Sequence, residues 1–410
     1  MIKINYHNFQ DITNQKIYQQ VNKAIQQLQQ EITQNLLPAI NIVQQNNEIN
    51  LVQSIASSIN LEKYQQILIL GTGGSSLGGK TFSALNQPNQ LIFLESIDPA
   101  TINKCFASLN LEKTLVLVIS KSGETTETIC QTLLLIKKFQ QANIKNWQEQ
   151  FLFITENQPS SLTYIANSIY QNSTPKIFIH HPKIGGRYSC FSIVGLLPAY
   201  FAGLDITKIV AGAKESVNEL LLKKNTDLQY YCTQQLIYYQ QNYCQNVLIP
   251  YADQLCYFNN WFRQLFAESI GKNGFGITPI NSTGTIDQHS QLQLYLDGKK
   301  DKTFTFILNQ NPCNYNLHID NFANTIFNNK TLSQILQTEA LSTIQLLTEQ
   351  KVPIRVINLP ELNEHYLAKL MMNSFFETIV LAYSQNLDPF NQPAVELRKQ
   401  IAKKMLCQNC

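Results

Sequence analysis

Five short, unbroken apolar runs dominate the first half of this 410-residue chain. They are Ile67–Leu70, Leu91–Leu94, Leu115–Ile119, Phe151–Ile154 and Ile177–Ile179, separated by stretches of helical periodicity. Runs of this kind read as strands buried on both faces, and the helices between them make βαβ units with a parallel sheet. After Gly185-Gly186 a long helical stretch reaches about residue 244. A second alternation follows, with strands at Val247–Ile249, Phe304–Leu308 and 353–357. The pattern predicts an α/β protein: two doubly wound, three-layer α/β/α domains with mainly parallel sheets. An N-terminal helical segment precedes them and a C-terminal helical tail follows. The expected divisions are 1–58, 59–205, 206–385 and 386–410, with no low-complexity linker between them.

Composition excludes several classes of function. The net charge of +3 and 14% charged residues show no basic stripe, so no nucleic-acid partner is expected. The longest apolar run, near Ile193–Leu204, contains Pro198 and is too short to span a bilayer. The start, MIKINYHNFQDIT, has no apolar signal region. Nine scattered cysteines suit a reducing cytoplasm. Cys407 and Cys410 form a single C-x-x-C, which is a weak metal signal without a second pair. No convincing metal cluster stands out in the sequence.

In a parallel sheet, ligands sit at the carboxyl ends of strands. Two loops there stand out. The first, Gly71-Thr-Gly-Gly-Ser-Ser76, runs into Gly74-Ser-Ser-Leu-Gly-Gly-Lys-Thr81, which matches the nucleotide phosphate loop G-x-x-x-x-G-K-[ST]. The placement argues against a nucleotide. Gly74 comes four residues after the strand, so Lys80 falls in the next helix, and no apolar strand ends directly in Asp. A dinucleotide reading could use Glu95 but leaves the second loop unexplained. That loop, Ser120-Lys-Ser-Gly-Glu-Thr125, carries three hydroxyls and a lysine ahead of a helix N-terminus, a ready anion site. Its alternative is ordinary capping chemistry.

Three later segments are dense in polar residues. Gly185-Gly-Arg-Tyr-Ser189 places Arg187 where it could stabilise an anion formed in a reaction, or serve in a structural ion pair. Gln264 and Glu268 share one face of a helix closed by Gly271. There the negative end of the helix dipole and apolar neighbours disfavour the carboxylate's charge, which suits a proton acceptor. A solvated surface glutamate is the alternative. His289, in Gly284-Thr-Ile-Asp-Gln-His-Ser-Gln291, sits in a polar loop suited to proton transfer, unlike the other histidines.

Taken together, these segments resemble the glucose-6-phosphate isomerase family, in its shorter bacterial form, in consistent order over about residues 60–405. The matching pieces are the 71–78 loop, SKSGETTET at 120–128, GGRYS at 185–189, QLFAESIGK at 264–272, GTIDQHSQ at 284–291 and QPAVELRKQIAKK at 392–404. The resemblance implies two sugar-isomerase (SIS-like) domains and a cytoplasmic homodimer. It also implies cofactor-free interconversion of D-glucose 6-phosphate and D-fructose 6-phosphate, in glycolysis and gluconeogenesis, through ring opening and a cis-enediol. By the same resemblance Ser120, Lys121, Ser122 and Thr125 cradle the phosphate, and Gly74 and Ser75 line the sugar site. Glu268 is the base, Arg187 stabilises the intermediate, and His289 and Lys399 assist ring opening. Gln264 and Gln392 contact substrate, and the histidine enters from a neighbouring subunit. Ile270, Asp287, Pro393 and Arg398 depart from the family's common residues and touch the geometry of the tail. A regulator on the same fold would not need Glu268, Arg187 and His289 together.

Overall fold

The computed structural model describes residues 1–10, 14–86, 90–170, 173–222, 226–312, 317–321 and 325–408. Cys410, half of the C-x-x-C, lies outside them. The strands are β1 (Lys3–His7), β2 (Gln66–Leu70), β3 (Leu91–Leu94), β4 (Thr114–Ile119), β5 (Phe151–Thr155), β6 (Ile177–Ile179), β7 (Gln245–Pro250), β8 (Thr278–Asn281), β9 (Lys302–Asn309) and β10 (Ile354–Leu359). They form two five-stranded sheets. The first has the order β3-β2-β4-β5-β6 and is parallel throughout. The second has the order β1-β10-β9-β7-β8 and is parallel except for β1.

The unbroken apolar runs have the expected cause. Leu68, Leu70, Val116, Val118, Phe151 and Phe153 face one helical layer, with Phe139 and Leu162. Their neighbours Ile67, Ile69, Leu115, Leu117, Leu152 and Ile154 face the opposite layer. Both faces of the sheet are therefore covered, as in doubly wound folds. The second layer is shared: Leu248, Ile307 and Ile357 of the other sheet pack into the same central core. Between the sheets stand the helices Ile193–Phe201, Ile206–Leu221, Cys256–Ile270 and Glu364–Ser384, which contribute Leu197, Ile209, Phe266 and Phe376 to it.

Two strands differ from the expectation. The 1–58 segment is helical over Gln15–Thr33 and Asn47–Ser57, but it opens on β1, antiparallel to β10 with Ile4 opposite Ile357. Ile2, Ile4 and Tyr6 are half-buried and alternate with exposed Lys3 and Asn5, the period of an edge strand. Strand β8, with the sequence TPIN, is polar and holds a proline, which an edge position tolerates. Among the described residues, no helix is long and apolar enough to cross a membrane.

Candidate active site

Counted within itself, the first sheet runs second, first, third, fourth, fifth strand, so its order reverses between β2 and β4. A crevice opens outside the carboxyl ends at such a switch point. The loops that follow β2 and β4 are the two that the sequence singles out. They line a cleft of about 950 Å³ together with Arg187, Gln264, Glu268 and the C-terminal helix Pro393–Gln408.

Gly73–Ser75 form a turn, and the helix Leu77–Ser83 follows. This loop runs against 185–189 so tightly that a Cβ on Gly74 would collide with the carbonyl group of Gly186. Ser189 Oγ donates to Gly74 O at 3.1 Å and fixes the contact. Lys80 lies in the helix, as expected. Its ammonium binds Glu95 Oε2 at 2.6 Å and rests 4.6 Å from the centre of the Tyr257 ring. The lysine of the apparent nucleotide motif is thus occupied away from the cleft.

The second loop is anchored from behind. Gly123 adopts φ +66°, and a Cβ there would collide with Ser160 Oγ. Glu124 accepts from the N–H of Ser161 at 2.6 Å and from its hydroxyl at 2.8 Å. Lys121 pairs with Glu156 at 3.5 Å. Lys121, Ser122 and Thr125 line the cleft at the N-terminus of the helix Thr126–Gln141. Ser120 does not line it. It is fully buried, and its Oγ sits 2.9 Å from Thr125 Oγ1, so it orients that hydroxyl rather than facing a ligand. His180 is buried behind this region, and desolvation pushes its imidazole down to about 4, which keeps it neutral.

Arg187 is 3% exposed, and all five of its N–H donors are engaged. Nε donates to Ser269 Oγ at 2.8 Å. NH1 donates to Glu268 Oε2 at 3.2 Å and Gln392 Oε1 at 2.7 Å, and NH2 to the carbonyls of Pro389 and Asn391. Glu268 stands in the last turn of Cys256–Ile270, against the Arg187 guanidinium. Gln264, one turn earlier, donates to Glu268 Oε1 at 3.0 Å. The carboxylate is therefore oriented through both oxygens. Tyr188 reinforces the arginine: its hydroxyl sits 3.0 Å from Ser269 Oγ, and burial pushes it up to about 12, so it remains a neutral partner.

Gly74, Ser75, Lys121, Ser122, Thr125, Arg187, Gln264, Glu268, Gln392 and Lys399 converge on one cleft. Lys399 is held by Glu396 at 2.8 Å, one turn away on the same exposed helix. His289 does not join them. It is exposed on the loop after β8 and lines no part of its own chain's cleft. Sequence reasoning missed Ser269, Glu156 and the carbonyls of Pro389 and Asn391. Ser269 could have been suspected, since it stands beside Glu268, and Glu156 directly follows a strand. The carbonyls carry no sequence signal. Among the described residues, no group of three or more His, Cys, Asp or Glu is placed to hold a metal ion.

The chain that builds this cleft is similar in sequence and fold to known proteins. The phosphoglucose isomerase family model matches residues 18–409. The chain belongs to the phosphoglucose isomerase family. A probable glucose-6-phosphate isomerase of Methanococcus maripaludis is 32% identical over 356 residues, covering 84% of this chain and 79% of that protein. The glucose-6-phosphate isomerase of Methanocaldococcus jannaschii is 32% identical over 362 residues, covering 85% and 86%. A solved structure of a hypothetical protein from Thermus thermophilus superposes with a TM-score of 0.86 at 24% identity, covering 98% of this chain and all of that one. Membership makes the chain an isomerase of glucose 6-phosphate on a sugar-phosphate-isomerase fold.

Proposed function

We propose that this cleft performs the reversible interconversion of D-glucose 6-phosphate and D-fructose 6-phosphate with Glu268 as the base that carries the proton between C2 and C1. The observation that supports this reading is the double orientation of Glu268, by Gln264 on one oxygen and Arg187 on the other. An aldose–ketose shift needs one base over two adjacent carbons. Glu268 takes the proton from C2 of the open-chain aldose, and the electron pair passes into a cis-enediolate with its charge on O1. The O2 hydroxyl proton passes to O1, and the acid formed at Glu268 then returns its proton to C1, leaving the carbonyl at C2. Arg187 stands beside the carboxylate, where its charge stabilises the enediolate oxygen. The substrate phosphate fits the loop 120–125, where Ser122, Thr125 and the helix N-terminus donate to it.

Two parts of this reading go further. Ring opening is assigned to Lys399 and His289. Because His289 is remote from its own cleft, it is assigned to the cleft of a second copy in a homodimer. The substrate and the pathway are those of the cytoplasm, where we place the protein. The test is coupled spectrophotometric detection of glucose 6-phosphate formed from fructose 6-phosphate, with wild type and Glu268→Gln. The variant is expected to lose about 10³-fold in kcat, the scale of a general base. A variant that keeps wild-type turnover refutes the base assignment.

A further inference from the structure

The C-terminal helix Pro393–Gln408 carries Lys399 into the cleft, yet its residues are exposed almost without interruption. What places it is therefore the segment just before it, 387–392. Arg187 grips that segment at Pro389, Asn391 and Gln392, and Tyr188 reaches Pro389 O at 3.4 Å and packs at a tilt against the Phe390 ring, 5.1 Å between centres. One anchor comes from elsewhere. Lys272 Nζ donates to the carbonyl of Asp388. Lys272 follows Gly271, the residue that closes the helix bearing Glu268. Its backbone is pinned to Phe275 in both directions, at 3.0 and 2.9 Å, while Tyr239 packs on the Phe275 ring from the helix Thr226–Gln240. Lys272 does not line the cleft.

We propose that Lys272 is a positioning residue for the isomerase reaction, tying the end of the base-bearing helix to the C-terminal segment and so fixing Gln392 and Lys399 relative to Glu268. The inference rests on the site reading above. Its electrostatics make it testable. Desolvation, followed by the nearby Arg187 cation, pushes the Lys272 ammonium down to about 8, against the opposing pull of Asp388 and Glu268. As pH rises through that value, the charge-assisted bond becomes a neutral and weaker one.

The experiment measures kcat and KM for fructose 6-phosphate from about pH 6.5 to 9.5, with melting curves, for wild type, Lys272→Met and Lys272→Arg. Wild-type kcat/KM is expected to decline above about pH 8 through weakening of this tie. Lys272→Met should start roughly tenfold lower at neutral pH, the effect of one charge-assisted bond, and lack that decline. Lys272→Arg should restore the neutral-pH value and move the decline upward, because guanidinium keeps its proton. A Lys272→Met profile identical to wild type overturns the proposal. If Lys272→Met does not fold, an alkaline limb unmoved in Lys272→Arg overturns it alone. A wild type without isomerase activity would instead remove the site reading itself.

Discussion

The two sheets share a strand order and differ at their carboxyl ends. Leaving out the antiparallel β1, the second sheet also runs second, first, third, fourth strand in its own order, with a reversal between β7 and β9. A crevice is permitted there as much as in the first sheet. It is filled. Tyr251 follows β7, and its N–H donates to Ile307 O of β9 at 3.0 Å. Its ring stacks on Phe306, lies against Gly284, and is 4% exposed. Gln288 closes it with a 2.8 Å bond to the hydroxyl. Where one sheet has Gly71–Ser76 and SKSGET, the other has an aromatic plug. Topology offers the site twice, and side-chain volume decides which offer stays open. The second half of the chain contributes to the cleft instead through Cys256–Ile270, whose far end brings Gln264 and Glu268 to the first sheet's crevice.

The sharpest way to break this division of labour is at Arg187, where the halves meet. Arg187→Lys keeps the charge but cannot reproduce a five-donor fork. We expect kcat/KM to fall about 10²- to 10³-fold, the scale of losing preorganised electrostatic stabilisation, because lysine cannot hold Glu268, Gln392 and the 389–391 carbonyls together. The circular dichroism spectrum should be preserved, because the central core does not depend on this residue. Activity within tenfold of wild type would mean that point charge alone suffices. Next in size is Gly74→Ala. The added methyl would meet backbone, not a movable side chain, so loops 71–76 and 185–189 must separate. A displacement near 1 Å costs about 10²-fold in an oriented site. Steady-state kinetics should show the loss in kcat as well as in KM.

Much of this arrangement was legible in the chain itself. Strands buried on both faces announce themselves as unbroken apolar runs, so the first sheet's β2 to β5 were placed within a residue or two. The strands without that signal, β1 and β8, are edges half in solvent, and their composition reflects the half that is wet. The cleft residues were legible for a related reason. Glycines, hydroxyls and charges directly after an apolar strand have few structural explanations. What sequence could not show was direction. Ser120 carries the same hydroxyl as Ser122, but the chain leaves the strand in a turn that the Gly123 N–H closes on Ser120 O at 3.2 Å, so one faces inward to Thr125 and the other outward. Nor could it show that Arg187 spends two donors on carbonyls some 200 residues away, since carbonyls look the same at every position.

Loop 120–125 and helix 77–83 give a smaller contrast. Ser122 lines the cleft, whereas Lys80 faces Glu95 and Tyr257. Ser122→Ala should raise KM by about tenfold or less, the worth of one hydrogen bond to a charged oxygen, with kcat little changed. Lys80→Ala should alter KM by no more than about twofold and act mainly on the melting temperature, since a partly exposed ion pair contributes little. Initial-rate titrations with fructose 6-phosphate separate the two. The reverse ranking would return the phosphate to the GSSLGGKT loop.

The smallest expected effect tests whether the filled crevice is inert. Tyr251→Phe keeps the ring that plugs the second switch point and deletes the hydroxyl that Gln288 grips. The loss of one part-buried hydrogen bond should cost about 1 kcal/mol of stability, read as a lower melting temperature. Gln288 precedes His289, so the same substitution loosens the loop we assign to a partner's cleft. That loop has other ties: Gln288 also donates to Glu339 O at 3.1 Å and to Thr343, and Asp287 Oδ2 accepts from the N–H of Thr283 at 2.7 Å. With these in place, kcat/KM should stay within about twofold of wild type, because only one of several restraints is gone. A tenfold fall with unchanged stability would show that the plug does more than fill space: it would be holding His289 for the reaction, and the second sheet's crevice would count as part of the active site.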